Sequence, residues 1–320
     1  MTLRAGPHAT RADTLGIPAA SPSGRTLGFV LVAVSATCFG AMPLFGRSAY
    51  AAGADPTSLL LLRFGIAGGV LWLLVLARRA PLPRVRTLGL LALMGGVGYV
   101  GQSLAYFTAL TMTSASLLAL ILYLYPILVA VLAAVILKAP LTRTKQLALL
   151  LAVLGAGLTV GPVGGGNALG ITLGLSAALV YACYILTLTR VADGVDPLAS
   201  SAVITSAAAL VFLGLAAARG SPLPVTGEGW LAVAAIALVS TVVAILAFLG
   251  GLARIGPTDT ATVSTLEPVV TLILAVALLG ESLAPLQLVG GACILLAVVR
   301  LARGNQIAAV PQQVRDSRVV

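Results

Sequence analysis

The chain is predicted to be an all-α integral membrane protein, with ten transmembrane helices arranged as two inverted five-helix repeats. Three observations lead there. Hydrophobic residues make up 59% of the chain and charged residues 9%, with a mean hydropathy of +1.10. A soluble domain carries roughly 25% charge, so a soluble fold is excluded. The apolar segments run to about 18–24 residues, enough to cross a hydrocarbon core of about 30 Å at 1.5 Å per residue. Backbone polar groups in lipid need internal partners, which leaves helices or a closed barrel. Barrel strands alternate polar and apolar residues, whereas these segments are continuously apolar, so helices win. The third observation is a repeat. LAYFTALTMTSASLLALILYLYP, Leu104 to Pro126, returns without a gap as LAFLGGLARIGPTDTATVSTLEP, Leu246 to Pro268, 142 residues later. Only six of the 23 positions are identical, which is modest for Leu/Ala-rich sequence, but the prolines coincide. Asp55-Pro56 and Asp196-Pro197 recur at almost the same offset. Each half then holds five spans, and an odd number forces the second copy to enter the membrane upside down. Inverted repeats of this kind build many secondary transporters, with the substrate site near the midplane between the halves.

The first repeat occupies 27–162, with spans at 27–48, 57–77, 87–107, 113–137 and 145–162. The second occupies 169–302, with spans at 169–189, 197–217, 229–250, 258–279 and 285–302. Proline, glycine and charge punctuate the gaps: Asp55-Pro56 opens the second span and Asp196-Pro197 the seventh. Arg78-Arg79 with Pro81 and Pro83 closes the second, Lys138 with Pro140 the fourth, and Gly164-Gly165-Gly166 the fifth. Pro222 and Pro224 follow the seventh. Residues 1–26 lack an apolar core, so they do not read as a cleaved signal peptide. They and residues 303–320 are expected to be disordered cytoplasmic tails.

Lys and Arg sets the orientation. With the N-terminus inside, 16 of the 19 basic residues fall on inner segments, Arg47 and Arg219 fall outside, and Arg63 lies within the second span. Both termini are therefore expected in the cytoplasm of a bacterial-type inner membrane. Small residues recur at four-residue spacing in Ala36/Gly40, Gly65/Gly69 and Gly170/Gly174, where they read as helix-packing contacts. Cys38, Cys183 and Cys293 all fall inside spans and read as small buried side chains, with no metal or disulfide spacing.

Several function classes drop out. The net charge of +10 resides in loops of a membrane protein, so nucleic acid is not an expected partner. Gly96-Val97-Gly98-Tyr99-Val100-Gly101 spells G-x-G-x-x-G, but inside an apolar span, with no Asp or Glu between Asp55 and Asp193. A dinucleotide site needs a strand before it and an acid about 20 residues on. The glycines are instead expected to thin the third span, so that it bends or lines a cavity. Gly164-Gly165-Gly166 lacks the Lys-Ser/Thr of a phosphate loop. The single histidine, His8, lies in the tail, which removes histidine triads and HExxH zinc sites. No catalytic set, metal or cofactor is expected.

Charge inside a bilayer costs roughly 2.5–3.5 kcal/mol on insertion scales and marks a functional or paired residue. Glu267 lies near the middle of the ninth span and Arg63 about six residues into the second. Three readings stay open: a structural Arg63–Glu267 pair, a substrate- or proton-binding Glu267, or an Arg63 that snorkels to the headgroups. Pro126 and Pro268 sit mid-span, where each frees the carbonyl four residues back, on Leu122 and Ser264. Such breaks either kink the packing or line a cavity as gating elements. The repeat makes Tyr125-Pro126 and Glu267-Pro268 equivalents, which sets an aromatic ring opposite a carboxylate. Further substrate-contact candidates are Tyr99, Gln102, Tyr106, Ser114, Ser116, Tyr123, Tyr181, Tyr184, Ser240, Thr241, Thr262 and Thr265. Aromatics are only 5% of the chain, so no rich aromatic cage is expected.

Leu266-Glu267-Pro268-Val269-Val270, then Leu278-Leu279-Gly280-Glu281, Gln287 and Gly290-Gly291, together with Arg63-Phe64 and Ala115-Ser116, give the chain a family likeness. It resembles the ten-helix EamA-type branch of the drug/metabolite transporter superfamily over about residues 27–302. The resemblance implies a central cavity between inverted repeats, and export or exchange of small metabolites. The first half has Lys138-Ala139 where the second has Gly280-Glu281, so Glu281 reads as a helix-end or loop contact. The expected function is a secondary transporter working by alternating access, with amino acids as the leading substrate and the proton as candidate coupling ion. Multidrug efflux and a passive facilitator are the alternatives. The expected partners are a small-molecule substrate and the lipid bilayer, and a homodimer is compatible with the sequence.

Overall fold

The computed structural model describes residues 22–136, 138, 142–160, 167–192 and 194–308. Most of both expected tails, Ala139 and the Gly164-Gly165-Gly166 turn lie outside these residues. Among the described residues every regular element is helical. The first half runs α1 (Pro22–Gly40), α2 (Met42–Ala51), α3 (Pro56–Arg78), α4 (Val85–Leu93), α5 (Val100–Ala109), α6 (Ala115–Leu122), α7 (Tyr125–Ile136) and α8 (Arg143–Val160). The second runs α9 (Ala168–Val191), α10 (Pro197–Arg219), α11 (Gly227–Ala237), α12 (Ala244–Ser264), α13 (Leu266–Leu279) and α14 (Pro285–Ala308).

The repeat is written into the helix starts. Residues 56, 85 and 143 begin α3, α4 and α8, and residues 197, 227 and 285 begin α10, α11 and α14, at offsets of 141, 142 and 142. The paired Asp-Pro steps are N-caps. Asp55 accepts from the Ser58 amide at 2.7 Å, and Asp196 accepts from the Leu198 and Ala199 amides at 2.9 Å. Each satisfies amides that the first helical turn leaves unpaired, and the proline at the next position loses no helical bond. Packing follows the same symmetry: α3 lies against α10 and α8 against α14. Helix α1 packs on α12 and α13, while its counterpart α9 packs on α5, α6 and α7. A π-helical turn interrupts each repeat at a matching place, Met94–Tyr99 between α4 and α5, and Leu238–Val243 between α11 and α12.

Among the described residues eight helical stretches are long and apolar enough to cross a membrane, where the sequence places ten spans. One of them, Gly227–Leu279, runs 53 residues, far more than a single crossing needs. It bends at Gly256, whose φ of 75° is a left-handed backbone that glycine adopts freely, and Pro257 follows. Helix α8, at 18 residues, is not among the eight. Helix α1 begins at Pro22, inside the segment expected to be a tail. Large apolar side chains point outward along the bundle, with Leu73, Leu210 and Leu231 each about two-thirds exposed or more; lipid is the solvent that suits them.

Two expectations about small residues need correction. Gly40, Gly170 and Gly174 do meet neighbouring helices, but a side chain at Gly65 or Gly69 would meet nothing within 4 Å. That pair lies on a free stretch of α3 and packs no helix. Cys183 is exposed, and Cys38 and Cys293 are only partly buried. The glycine-thinned third span does pack closely: a Cβ on Gly95 would run into the carbonyl oxygen and Cα of Ile204 on α10. Backbone cannot yield as a side-chain tip can, so Gly95→Val is expected to cost about 1–3 kcal/mol by overpacking. Thermal unfolding of the purified protein checks this, and an unchanged Tm would show that α10 has room to move.

Candidate functional site

The two mid-span prolines break their helices as their chemistry requires. Helix α6 ends at Leu122, ahead of Pro126, and α12 ends at Ser264, ahead of Pro268. Both breaks border one cavity of about 390 Å³, whose wall includes Leu122, Tyr125, Ser264 and Glu267. That volume falls in the range of small-molecule sites, roughly 300–1,000 Å³. The carbonyl that Pro268 frees, on Ser264, accepts a hydrogen bond from the Tyr123 hydroxyl of the opposite repeat.

One wall is aromatic, which corrects the expectation drawn from composition. Tyr99, Tyr106, Tyr125, Tyr181 and Tyr184 all line the cavity. The rings form a continuous ladder: Phe64–Tyr99 at 5.2 Å, Tyr99–Tyr184 at 5.7 Å, Tyr184–Tyr181 at 6.1 Å, Tyr181–Tyr125 at 4.7 Å and Tyr125–Tyr123 at 5.8 Å. These centroid spacings are those of interacting rings. The chain is poor in aromatics, but it gathers most of its tyrosines in one place.

The two intramembrane charges border the same cavity without pairing. Among the described residues the one ion pair is Arg25–Asp259, at 3.0 Å, so the structural Arg63–Glu267 pair does not form. Nor does Arg63 snorkel, because it is only 3% exposed. Its Nε donates to Thr241 Oγ1 at 2.9 Å, and its guanidinium lies over the rings of Phe64 and Phe107, at 4.9 and 5.5 Å. Glu267 stands on the first turn of α13, and Tyr106 lies close to both charged groups.

Not every sequence candidate reaches the cavity. Gln102 does, with its amide oxygen accepting from the Ser103 hydroxyl at 3.2 Å. Tyr123 is buried behind Tyr125 and braces the α12–α13 break. Thr265 donates to the Thr262 carbonyl at 2.7 Å and stays within that break. Ser240 and Thr241 donate to the carbonyls of Cys38 and Ile236, and Ser114 caps α6. Sequence reasoning missed Ser200 and Ser201 on α10, which line the cavity just beyond the Asp196 cap. Two adjacent hydroxyls in an apolar span were the available signal.

The two ends of the cavity differ. At one end its lining reaches Ala192, Val195 and Pro197, at the turn between α9 and α10. At the other end hydrogen bonds join the loops. The Arg47 Nη2 donates to the Thr113 carbonyl at 2.6 Å, and the Tyr50 hydroxyl to the Phe107 carbonyl at 2.9 Å. The Glu281 carboxylate accepts from the Ala115 and Ser116 amides at 2.7 and 3.0 Å. This carboxylate of the second repeat caps a helix of the first, a helix-end contact as read from the sequence. The equivalent positions 142 residues away cannot form one, since Ala139 has no carboxylate and Pro257 has no amide hydrogen to offer.

The sequence signature of the EamA-like transporter family matches this chain twice, over residues 26–161 and 168–303. The chain belongs to the EamA-like transporter family. The transporter is 28% identical over 278 residues to the uncharacterized transporter YcbK of Bacillus subtilis strain 168, covering 82% of this chain and 88% of that protein. It is also 28% identical over 259 residues to the uncharacterized transporter YyaM of the same organism, covering 77% and 84%. A solved crystal structure, described only as that of a protein, matches with a TM-score of 0.64 at 21% identity, over 88% of this chain and 98% of its own. At that identity the likeness concerns the fold alone.

Proposed function

We propose that this transporter exports small metabolites, amino acids foremost, by alternating access between two inverted five-span repeats. The observation that carries the reading is the cavity: it is bounded by both proline-broken helices, reaches one end of the bundle, and is bonded shut at the other. Ten crossings fit if Gly227–Leu279 is divided at Gly256 and α8 is counted. The bias of basic residues supports cytoplasmic termini, and with that orientation the cavity would face the cytoplasm of a bacterial-type inner membrane. Rocking one repeat against the other would break the Glu281 cap and expose the cavity on the far side. Glu267 and the tyrosine ladder offer a carboxylate for an ammonium group and an apolar wall for a side chain. Glu267 is also the site at which a proton would compete with substrate.

Multidrug efflux is the second reading, favoured by the same pairing of aromatic wall and lone carboxylate. Expression in a host lacking its own exporters separates the two. The amino-acid reading expects resistance to toxic amino-acid analogues and excretion of amino acids into the medium. Resistance confined to cationic dyes and drugs would replace it with the second.

A further inference from the structure

Among the described residues Arg63 is a buried cation without a counterion. It is 3% exposed, forms part of the cavity wall, and has no carboxylate of a described residue within ion-pair distance. A guanidinium carries five N–H donors. Thr241 takes the one on Nε. The rings of Phe64 and Phe107 hold its face, which fixes the orientation of the group but supplies no opposite charge. Removing one partner of a buried pair is strongly unfavourable because it leaves a charge uncompensated; here no described residue provides a partner. A counterion can reach it from the cavity that it lines.

We propose that Arg63 anchors the acidic group of the substrate, and that this group is a carboxylate. The planar fork of arginine matches a carboxylate through two parallel hydrogen bonds, which a point-charge ammonium cannot reproduce. Two contacts orient the substrate. Its acid meets Arg63 on α3, toward the bonded end of the cavity beside Phe107, and its cationic group meets Glu267 on α13. Tyr106 lines the cavity together with both charges. The inference rests on the reading that the cavity carries amino acids, and it adds that the free carboxylate is obligatory. It also disfavours cationic drugs, because a cation without an acid would leave Arg63 uncompensated beside it.

Matched probes test this. Phenylalanine, its amide and phenethylamine form one series; leucine, its amide and isoamylamine form another. Each is measured for binding to the purified protein by calorimetry and for counterflow in proteoliposomes. The expected result is that the free acids bind at least tenfold more tightly than amides or amines. Arg63→Gln is expected to lower acid affinity tenfold or more and to erase the preference for acid over amide. Arg63→Lys should restore it only in part. A purely structural role would lower stability without equalising acid and amide. Amides or amines binding as tightly as acids to the unaltered protein would overturn the anchor and leave the transporter reading standing. Silence from both whole series would overturn the amino-acid reading and the anchor with it. The comparison on the unaltered protein decides the matter even if the Arg63→Gln protein fails to fold.

Discussion

Glu267→Gln is expected to abolish substrate accumulation driven by a pH gradient and to weaken saturable exchange of substrate with it. Among the described residues Glu267 is the one carboxylate on the cavity wall, and no basic side chain pairs with it. In a low-dielectric site such a group is held neutral either by a proton or by the cationic end of a substrate, and the two compete for it. Competition at one site is what couples two fluxes in opposite directions. A one-unit pH difference is worth about 1.36 kcal/mol per proton, so one proton exchanged for one neutral substrate sustains about a tenfold concentration ratio. Glutamine keeps the shape and a hydrogen-bonding oxygen but carries no exchangeable charge, so the ratio should fall to about one. Full accumulation by the Gln protein would remove Glu267 from the coupling.

The second large effect concerns the closed end. Glu281 accepts two amide hydrogen bonds at the start of α6, where the helix dipole adds to the attraction for negative charge. Hydrogen bonds to a charged group contribute about 1.5–3 kcal/mol, and they cross from the second repeat to the first. Close by, the hydroxyls of Thr113 and Ser116 are buried without a hydrogen-bond partner among the described residues. They favour opening, since opening would hydrate them. The closed end is thus held against a local cost, and Glu281→Ala should shift the balance toward the open arrangement by about tenfold or more, as 1.4 kcal/mol is tenfold. With Cys38, Cys183 and Cys293 replaced, a single cysteine at Ser116 should react faster with a membrane-impermeant thiol reagent applied from outside. Equal reaction rates with and without Glu281 would show that the cap does not hold the gate.

The sequence made the helical character, the repeat and the helix breaks legible because each rests on short-range chemistry. Proline lacks an amide hydrogen wherever it stands, so Pro126 and Pro268 break α6–α7 and α12–α13. An aspartate before a proline caps a helix with amides only two or three residues away. What failed to show was assembled over long distances. Tyr99, Tyr125, Tyr181 and Tyr184 come from three separate helices, and a 5% aromatic content cannot reveal that they stack. Arg63 finds Thr241, 178 residues away, while the match of opposite charge with Glu267 is not made. Gly65 and Gly69 carry the same spacing as Gly170 and Gly174, yet spacing alone does not tell which face of a helix meets a neighbour. The π-helical turn at Leu238–Val243 contains no glycine at all, so nothing local distinguished it from ordinary helix.

The most direct test of a carrier with its site between the repeats is counterflow in proteoliposomes. Vesicles are loaded with one unlabelled amino acid at a time, and uptake of the same labelled compound is followed. Transient, saturable overshoot for one class of amino acids, lost in the Arg63→Gln and Glu267→Ala proteins, is the expected result. Uptake that never saturates and shows no overshoot would contradict it and describe a channel instead.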